Sequence, residues 1–274
     1  SCNPLSHYAT ERQKELMGEV IFVGAGPGAP DLITVAGLRA LESADVVLYA
    51  GSLVNPALLE YAPEGIPVHN TASMNLEETT RVCIEHASRG ERVVRLHTGD
   101  PSLYGAIQEQ MVPLDEAGIP YRVIPGVSSA FASAASLKTQ LTLPGVSQTV
   151  IFTRLSGRTP VPEGESLEKL AASGATLCVF LSVDRIGEVV ERCLEGGRSP
   201  KTPAAVVSRA GWRDEASVAG SLEDIAAKVK EAGFIKQSMV IIGDPLGPRI
   251  LGSDFEPSKL YAATFSHGYR KGSG

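Results

Sequence analysis

A loop at the end of an apolar strand holds the residues of this chain best suited to chemistry. The run Val93–Leu96 leads into His97–Gly105, which contains one carboxylate (Asp100), one aromatic ring (Tyr104) and several small, turn-forming residues. In open α/β sheets, ligands bind just outside the carboxyl ends of the strands. The loop therefore suits a small polar cofactor. The alternative is an ordinary turn in which Asp100 caps the next helix and Pro101 opens it.

A second loop of small residues, Pro125–Ala130, follows another apolar strand. Its adjacent hydroxyls, Ser128 and Ser129, are able to hydrogen-bond a cofactor carboxylate or ribose. They are equally suited to capping the helix that follows, and the two roles are compatible.

Two basic loops follow strands in the second half of the chain. One contains Arg154 and Arg158, and the other contains Arg209 and Arg213. Arginine is the residue type that binds carboxylates in a bidentate manner. A single arginine is most often a solvated surface charge, but two pairs at strand ends indicate an anion site.

The loop Gly24–Gly28 follows the first strand and invites comparison with a dinucleotide-binding fingerprint. The match is imperfect, because Pro27 interrupts the run of amides that would bind a pyrophosphate. The second strand also ends at Gly51, where a ribose-binding carboxylate is expected. A nicotinamide-dependent dehydrogenase is therefore the weaker alternative. The simpler interpretation is a tight loop that allows close approach of another backbone or a flat ligand.

Several familiar catalytic motifs are missing from the sequence. There is no His-x-x-x-His pair, no nucleophile elbow, no P-loop lysine and no paired catalytic carboxylates. None of the four cysteines forms a Cys-x-x-Cys pair or lies near a histidine at metal-ligand spacing, so no metal site is predicted. These observations favour a reaction in which a cofactor supplies the reactive group.

Composition indicates a soluble globular protein. Of 274 residues, 43% are hydrophobic and 20% charged, and the net charge is −6. This charge argues against nucleic-acid binding, and no stretch is long enough to span a membrane. Cys83 and Cys178 lie in patterns typical of buried thiols, and the absence of disulfide spacing predicts a cytoplasmic protein. The polar segment 1–16 is interpreted as a disordered leader.

Strands alternate with helices along the first half of the chain, which predicts an α/β fold with a largely parallel sheet. Pro125-Gly126 is a plausible hinge, after which the alternation restarts. We therefore predict α/β domains at 17–125 and 126–252, and a C-terminal tail at 253–274 whose aromatic residues (Tyr261, Phe265 and Tyr269) dock on a surface. The predicted strands are 19–23, 46–50, 92–96, 121–124, 149–152, 176–181, 204–208 and 238–242. The predicted helices are 33–43, 77–89, 105–117, 127–137, 167–172, 186–195 and 222–232. Thr34 and Asn75 are the expected N-terminal caps of the first two.

Taken together, these segments resemble the tetrapyrrole (precorrin) methylases over roughly residues 18–250. The general marks are the loops Gly24–Gly28, Gly99–Pro101 with Tyr104-Gly105, and Pro125–Ser129. Narrower stretches resemble the members that methylate C11 of precorrin-4 in cobalamin (vitamin B12) synthesis, and they do not separate these from the cobalt-precorrin-4 branch. These stretches are Thr71–Glu78, Leu141–Pro144, Gln148–Ile151, Arg154 with Gly157–Pro162, and Trp212–Glu215.

The resemblance implies two α/β domains of the tetrapyrrole methylase type, with the active-site trough between them. It also implies the cofactor S-adenosylmethionine, the product S-adenosylhomocysteine, an anionic tetrapyrrole substrate and a homodimer. The cofactor residues implied are Pro27, Gly99, Asp100, Tyr104, Ser128, Ser129, Phe180, Leu181 and Ala210. The substrate residues implied are Met74, Arg154, Arg158, Arg209 and Arg213.

The reaction implied is attack of an electron-rich ring carbon on a sulfonium methyl group, for which alignment of the reactants matters most. No general base is assigned, and the candidates for a catalytic role are His97, Asp100 and Tyr104. The alternatives are methylation at another ring carbon of a precorrin or uroporphyrinogen, a nicotinamide-dependent dehydrogenase and a non-enzymatic tetrapyrrole carrier.

Overall fold

The structure is a computed structural model that describes residues 17–266, 268, 270 and 271. The predicted leader 1–16, Cys2 and Tyr269 lie outside the described residues. The chain divides into two compact units. The first extends to Ala132 and includes Gly211–Arg213, and the second comprises Ser133–Ala210 and the residues from Asp214 onward. The domain boundaries expected from the sequence stay predictions.

The first unit contains a five-stranded sheet in the order β3-β2-β4-β1-β5, in which every pair is parallel. The parallel sheet expected for this half is confirmed. The three-residue strand β3 is an addition to the predicted elements. The strands are β1 (Glu19–Gly24), β2 (Val46–Tyr49), β3 (Val68–Asn70), β4 (Arg92–His97) and β5 (Tyr121–Ile124).

Helices connect these strands, and two of them begin at the caps expected from the sequence. The Thr34 hydroxyl accepts a hydrogen bond from the Gly37 N–H, and Asn75 forms a capping box with Glu78. The helices are α1 (Val35–Glu42), α2 (Leu76–Ala87), α3 (Ile107–Glu116) and α4 (Ser129–Ser136), the last of which continues into the second unit.

Both faces of the first sheet are covered, so the inner strands β1, β2 and β4 are buried over most of their length. On one face Ile21 and Val94 pack with Leu41 of α1. On the other face Phe22 and Val93 belong to a cluster that includes Cys83 and Leu114, from α2 and α3. This packing holds β1, β4 and β5 in register, with their carboxyl ends at one edge of the sheet.

The second unit has a mixed five-stranded sheet in the order β6-β7-β10-β8-β9, in which only β6 and β7 are parallel. Strand β9 is new relative to the sequence prediction. The helix expected at 222–232 spans only Ile225–Ala232, because residues 222–224 form the turn that follows β9. The strands are β6 (Val150–Arg154), β7 (Thr176–Phe180), β8 (Pro203–Ser208), β9 (Ala216–Ser221) and β10 (Ser238–Ile242). The helices are α5 (Leu167–Ala171), α6 (Ile186–Glu195), α7 (Ile225–Ala232) and α8 (Gly247–Ile250).

The core of the second unit confirms the expected buried thiol Cys178 and adds Cys193. Burial raises the pKa of the Cys178 and Cys83 thiols to about 12. In the tail, Tyr261 and Phe265 are exposed, and the Arg270 guanidinium donates to the carbonyls of Leu260 and Ala262. Among the described residues, no helix is both long and apolar enough to cross a membrane.

Candidate active site

Three loops meet at the carboxyl ends of β4, β1 and β5, which are neighbouring strands of the first sheet. Gly26 and Gly99 pair through two backbone hydrogen bonds, with N···O distances of 2.8 and 3.2 Å. A Cβ atom at position 24 would lie 2.5 Å from the Gly126 Cα, and one at position 126 would overlap the Gly99 carbonyl oxygen. Glycine is therefore required where the loops touch backbone to backbone.

The Asp100 carboxylate joins two of these loops. Its Oδ2 accepts a hydrogen bond from the Gly126 N–H at 2.8 Å, and its Oδ1 accepts from the Ser102 N–H and hydroxyl at 2.9 and 2.5 Å. Burial raises the pKa of this carboxyl, but the bonds from Ser102 and Gly126 outweigh burial and bring the pKa below its ordinary value. Asp100 is thus a carboxylate at neutral pH and retains lone pairs for a ligand.

The alternative role of Asp100, as cap of the next helix, is wrong. Helix α3 begins at Ile107 rather than at Gly105, and Ala106 precedes it without a side-chain cap. Between them the chain adopts left-handed conformations at Tyr104 (φ 57°) and Ala106 (φ 50°). Such backbone is costly for residues with a side chain and is concentrated at functional sites. The Tyr104 ring is exposed at this edge of the sheet.

Ser128 and Ser129 lie beside the same loop. A Cβ atom at Gly99 would stand 3.6 Å from the Ser128 Cα and 3.9 Å from the Ser129 nitrogen. The Ser128 hydroxyl is buried and accepts a weak bond from the Ala130 N–H at 3.3 Å at the start of α4. The capping role is therefore present, and its position next to Gly99 is compatible with the expected cofactor role.

The glycine loop after β1 lacks the geometry of a dinucleotide site. The Gly26 N–H is used by Gly99, and the first α-helix that follows this loop begins only at Val35. The pyrophosphate of a dinucleotide would need free amides at a helix N-terminus. Instead, the carbonyl of Pro27 accepts from the Trp212 indole N–H at 2.9 Å, and that of Gly28 accepts from the Asn55 amide at 3.0 Å. The sequence marks Trp212 only as part of a stretch that resembles the family and does not single out Asn55. It places neither at this loop, because neither lies near the loop in the chain.

His97, a candidate base, lies inside the first unit. It is 6% exposed, and its Nε2 has no hydrogen-bond partner among the described residues. Burial, assisted by the neighbouring Arg95 guanidinium, lowers the pKa of His97 to about 3. An imidazole with this pKa is a poor proton acceptor near neutral pH, so the structure gives little support to a catalytic role.

In the second unit, the expected cofactor residues Phe180 and Leu181 lie where β7 ends. Leu181 is 75% exposed and adopts a φ of 54°. The buried Ser182 hydroxyl donates to the Phe180 carbonyl at 2.7 Å and accepts from the Leu155 N–H at 3.0 Å, so it ties the ends of β6 and β7 together. An exposed apolar side chain on a strained backbone is typical of a ligand contact.

Ala210 and Arg209 lie in the connection between β8 and β9. Ala210 is buried, and Arg209 has a φ of 51°. The Arg209 guanidinium donates to Asp214 at 2.8 Å and to the Gln237 side chain. Arg213 is exposed on the same connection. Of these two expected substrate residues, Arg209 has internal partners, and Arg213 presents its side chain to solvent.

The other basic loop shows the same contrast. The Arg154 guanidinium donates to the carbonyls of Leu155, Thr159 and Pro160 at 2.9 to 3.2 Å, so it folds the loop that follows β6. Arg158 stands on that loop and is exposed. Arg154 is therefore a scaffold for the loop, and Arg158 is the better placed of the two to bind an anion.

Met74, the remaining expected substrate residue, lines an open groove of about 430 Å³ in the first unit. The groove runs along α2, and its charged lining consists of Glu78, Arg81 and Glu85. Within the described part of the chain, no three His, Cys, Asp or Glu side chains are grouped so as to hold a metal ion.

The comparisons with known proteins identify the family. Residues 19–226 match the family described as tetrapyrrole (corrin/porphyrin) methylases, and the chain belongs to this family. A cobalt-precorrin-4 C(11)-methyltransferase from Methanocaldococcus jannaschii is 53% identical over 92% of this chain and 96% of its own length. A precorrin-4 C(11)-methyltransferase from Pseudomonas aeruginosa is 47% identical over 92% and 99%.

Solved structures agree with this assignment. The structure of a cobalt precorrin-4 methyltransferase is similar with a TM-score of 0.81 and 45% identity, covering 83% of this chain and 95% of that one. A uroporphyrin-III C-methyltransferase from Thermus thermophilus, complexed with S-adenosylhomocysteine, gives a TM-score of 0.71 and 32% identity, covering 84% and 99%. The two-unit α/β architecture is that of the family.

Proposed function

We propose that this protein is an S-adenosylmethionine-dependent methyltransferase that methylates C11 of precorrin-4, or of its cobalt-containing counterpart, in cobalamin synthesis. The observation that supports it most is the junction of Gly24, Gly99 and Gly126 held by Asp100. This junction is formed by the motifs that resemble the family, and relatives named for both substrates match at 47–53% identity. The product of the metal-free reaction would be precorrin-5.

The residues at this edge fit an adenosyl cofactor. Asp100 is an ionised carboxylate with unused lone pairs, which suits an amino group or a hydroxyl. Tyr104 offers an exposed ring at the same edge, and Ser128 and Ser129 offer polar groups next to Gly99. In the second unit, the exposed Leu181 side chain offers an apolar contact at the end of β7, and the family resemblance adds Phe180 and Ala210. These residues would hold S-adenosylmethionine.

The chemistry asks little of the protein beyond binding and alignment. S-adenosylmethionine, when bound, supplies an electrophilic methyl group with a good leaving group. Asp100 contributes a fixed negative charge whose hydrogen bonds are already made, so little reorganisation is needed when charge moves in the reaction. The rigid glycine junction holds the loops in place, and alignment of this kind accounts for several orders of magnitude in rate. No nucleophile from the protein is required.

Arginine side chains would bind the carboxylates of the tetrapyrrole. Arg158 and Arg213 are exposed, whereas Arg154 and Arg209 hold the loops that bear them. Met74 would contact the substrate from the first unit. His97 is left without a role as base.

Three features extend the proposal. The family resemblance favours a homodimer, and the buried, unpaired thiols Cys83, Cys178 and Cys193 favour a reducing, cytoplasmic location. The net charge of −6 favours no nucleic-acid partner. Light scattering of the purified protein should give twice the mass of one chain, and the mass of a single chain would contradict the dimer.

The deciding experiment supplies the protein with precorrin-4 or cobalt-precorrin-4 and methyl-¹³C S-adenosylmethionine, and locates the label by NMR. Label at C11 with either substrate supports the proposal, and the faster reaction identifies the natural one. Label at another carbon would show a different member of the family. Tetrapyrrole binding without methyl transfer would indicate a carrier, and calorimetry with NAD(H) tests the dehydrogenase alternative.

A further inference from the structure

The connection between β8 and β9 is divided between the two compact units. Arg209, Ala210 and Asp214 belong to the second unit, whereas Gly211–Arg213 belong to the first. The second-unit part is fixed by the Arg209 bonds to Asp214 and Gln237. The part in the first unit places one large aromatic side chain, Trp212, against the loop that follows β1.

Trp212 contacts this loop in two ways. Its indole N–H donates to the Pro27 carbonyl at 2.9 Å. Its ring also fills the space that a side chain at position 28 would need, because a Cβ atom on Gly28 would overlap the ring. The neighbouring Gly211, with a φ of 79°, lies so close that a Cβ atom there would be 3.3 Å from the Ala29 nitrogen and from the Pro27 Cγ.

The loop held by Trp212 is hydrogen-bonded to the loop that contains Asp100. Gly26 immediately precedes Pro27, and both its N–H and its carbonyl are hydrogen-bonded to Gly99. Gly99 precedes Asp100, whose carboxylate is bonded to the Gly126 N–H. Pro27 is therefore linked to the proposed cofactor loops through short backbone contacts.

From these contacts we propose that Trp212 is a positioning residue for methyl transfer: it fixes the Pro27–Gly28 turn and, through Gly26 and Gly99, the loop of Asp100. Gly28 and Trp212 form a matched pair, in which one supplies the space and the other the ring. The inference rests on the proposed function, because it assigns the effect of Trp212 to cofactor and substrate alignment.

The first test compares Trp212→Phe, which keeps an aromatic ring but lacks the indole donor, with Trp212→Ala, which removes both contacts. We expect kcat to fall about tenfold or less in the Phe variant, as for one hydrogen bond, and further in the Ala variant. The affinity for S-adenosylhomocysteine should weaken in the same order. A residue with only a structural role would lower Tm without changing kcat or affinity in the folded protein.

The second test uses the matched pair. Gly28→Ala alone should reproduce the defect of Trp212→Ala, because the new methyl group displaces the ring. In the double variant the two effects should not add, since the ring is already absent. Trp212→Ala with Glu116→Ala, an exposed site on α3, is the control for which effects should add.

Trp212 is the only tryptophan in the chain, so its fluorescence reports on this contact without an activity assay. We expect S-adenosylhomocysteine to change the emission of the wild-type protein, and Gly28→Ala to reduce that change. Normal kcat and affinity in both Trp212 variants, or additive effects in the double variant, would overturn the inference. In one outcome the wild-type protein fails to methylate the tetrapyrrole, while S-adenosylhomocysteine still changes the Trp212 emission and Gly28→Ala still reduces that change. This result would overturn only the proposed function.

Discussion

The Asp100 carboxylate accepts a hydrogen bond from the backbone N–H of Gly126 at 2.8 Å, although the two residues are 26 positions apart in the chain. Strand β1 lies between the strands that these residues follow. The bond therefore spans the end of β1, where Gly24 lies against Gly126. One carboxylate fixes the spacing of the loops and also provides the negative charge of the proposed site.

Replacing Asp100 by alanine should weaken S-adenosylhomocysteine binding by at least tenfold. The change removes the acceptor for Gly126 and for Ser102, so we expect about 1–3 kcal/mol of stability to be lost as well. The fold should persist, because the side chain is not part of either core cluster of the first unit. Calorimetry measures the affinity, and urea unfolding measures the stability.

Glu116→Ala, which removes an exposed carboxylate from α3, is the matched control and should change neither quantity. An Asp100→Ala variant that binds S-adenosylhomocysteine as tightly as the wild type would show that the carboxylate serves only the loop structure. The proposed cofactor role of Asp100 would then be wrong.

Gly126→Ala should damage both folding and cofactor binding. The added methyl group would overlap the Gly99 carbonyl oxygen, which is backbone and cannot rotate away. Overpacking of this kind costs about 1–3 kcal/mol, and occasionally more. The free energy of unfolding and the affinity for S-adenosylhomocysteine should both fall.

Gly187→Ala provides the contrast. Gly187 is exposed within α6, has an ordinary backbone conformation and has open space where a Cβ atom would stand. Alanine there should stabilise the protein by up to about 1 kcal/mol. Equal unfolding free energies for Gly126→Ala and wild type would show that the loops at the carboxyl edge can separate without cost.

Much of the first unit could be predicted because its signals are local. Buried parallel strands are apolar runs, and the caps at Thr34 and Asn75 are recognisable within four residues. Strands β3 and β9 were missed because Val68–Asn70 is short and Ala216–Ser221 is dominated by small residues, so neither shows an apolar run or a strong alternation.

The candidate site was predictable only in its parts. Asp100 stands out as a charge in a turn, and the Asp-x-Ser spacing is sufficient to predict the local bond to Ser102. Its bond to Gly126 depends on strand order, which no local pattern encodes. The roles of Trp212 and Asn55 and the left-handed backbone of Tyr104 and Leu181 likewise follow from tertiary contacts.

His97 should make the first unit sensitive to acid without acting in catalysis. Burial lowers the pKa of His97 to about 3 in the folded protein, whereas an unfolded histidine has a pKa of about 6.5. Below about pH 6.5 the unfolded chain binds the extra proton, so stability declines by up to about 1.4 kcal/mol per pH unit until the folded pKa is reached.

His97→Gln removes this titration. As pH falls from about 7 to about 4.5, the free energy of unfolding should therefore decrease less in the variant than in the wild type. Urea unfolding at several pH values measures it. If the unfolding free energies of wild type and variant change in parallel with pH, the lowered pKa of His97 is contradicted. If the pH–rate profile of the wild type has a limb near pH 6.5 that is absent from the variant, His97 acts as a base.

Arg154 and Arg158 should respond differently to truncation, although they stand on one loop. Arg154 donates to three backbone carbonyls, so Arg154→Ala leaves these acceptors without a charged donor and should lower Tm together with activity. Arg158 is exposed, so Arg158→Ala should leave Tm unchanged and raise KM for the tetrapyrrole but not for S-adenosylmethionine.

Arg89→Ala, at an exposed site after α2, controls for loss of positive charge. An unchanged tetrapyrrole KM in Arg158→Ala would move the carboxylate site to other residues, with Arg213 as the next candidate because its side chain is also exposed.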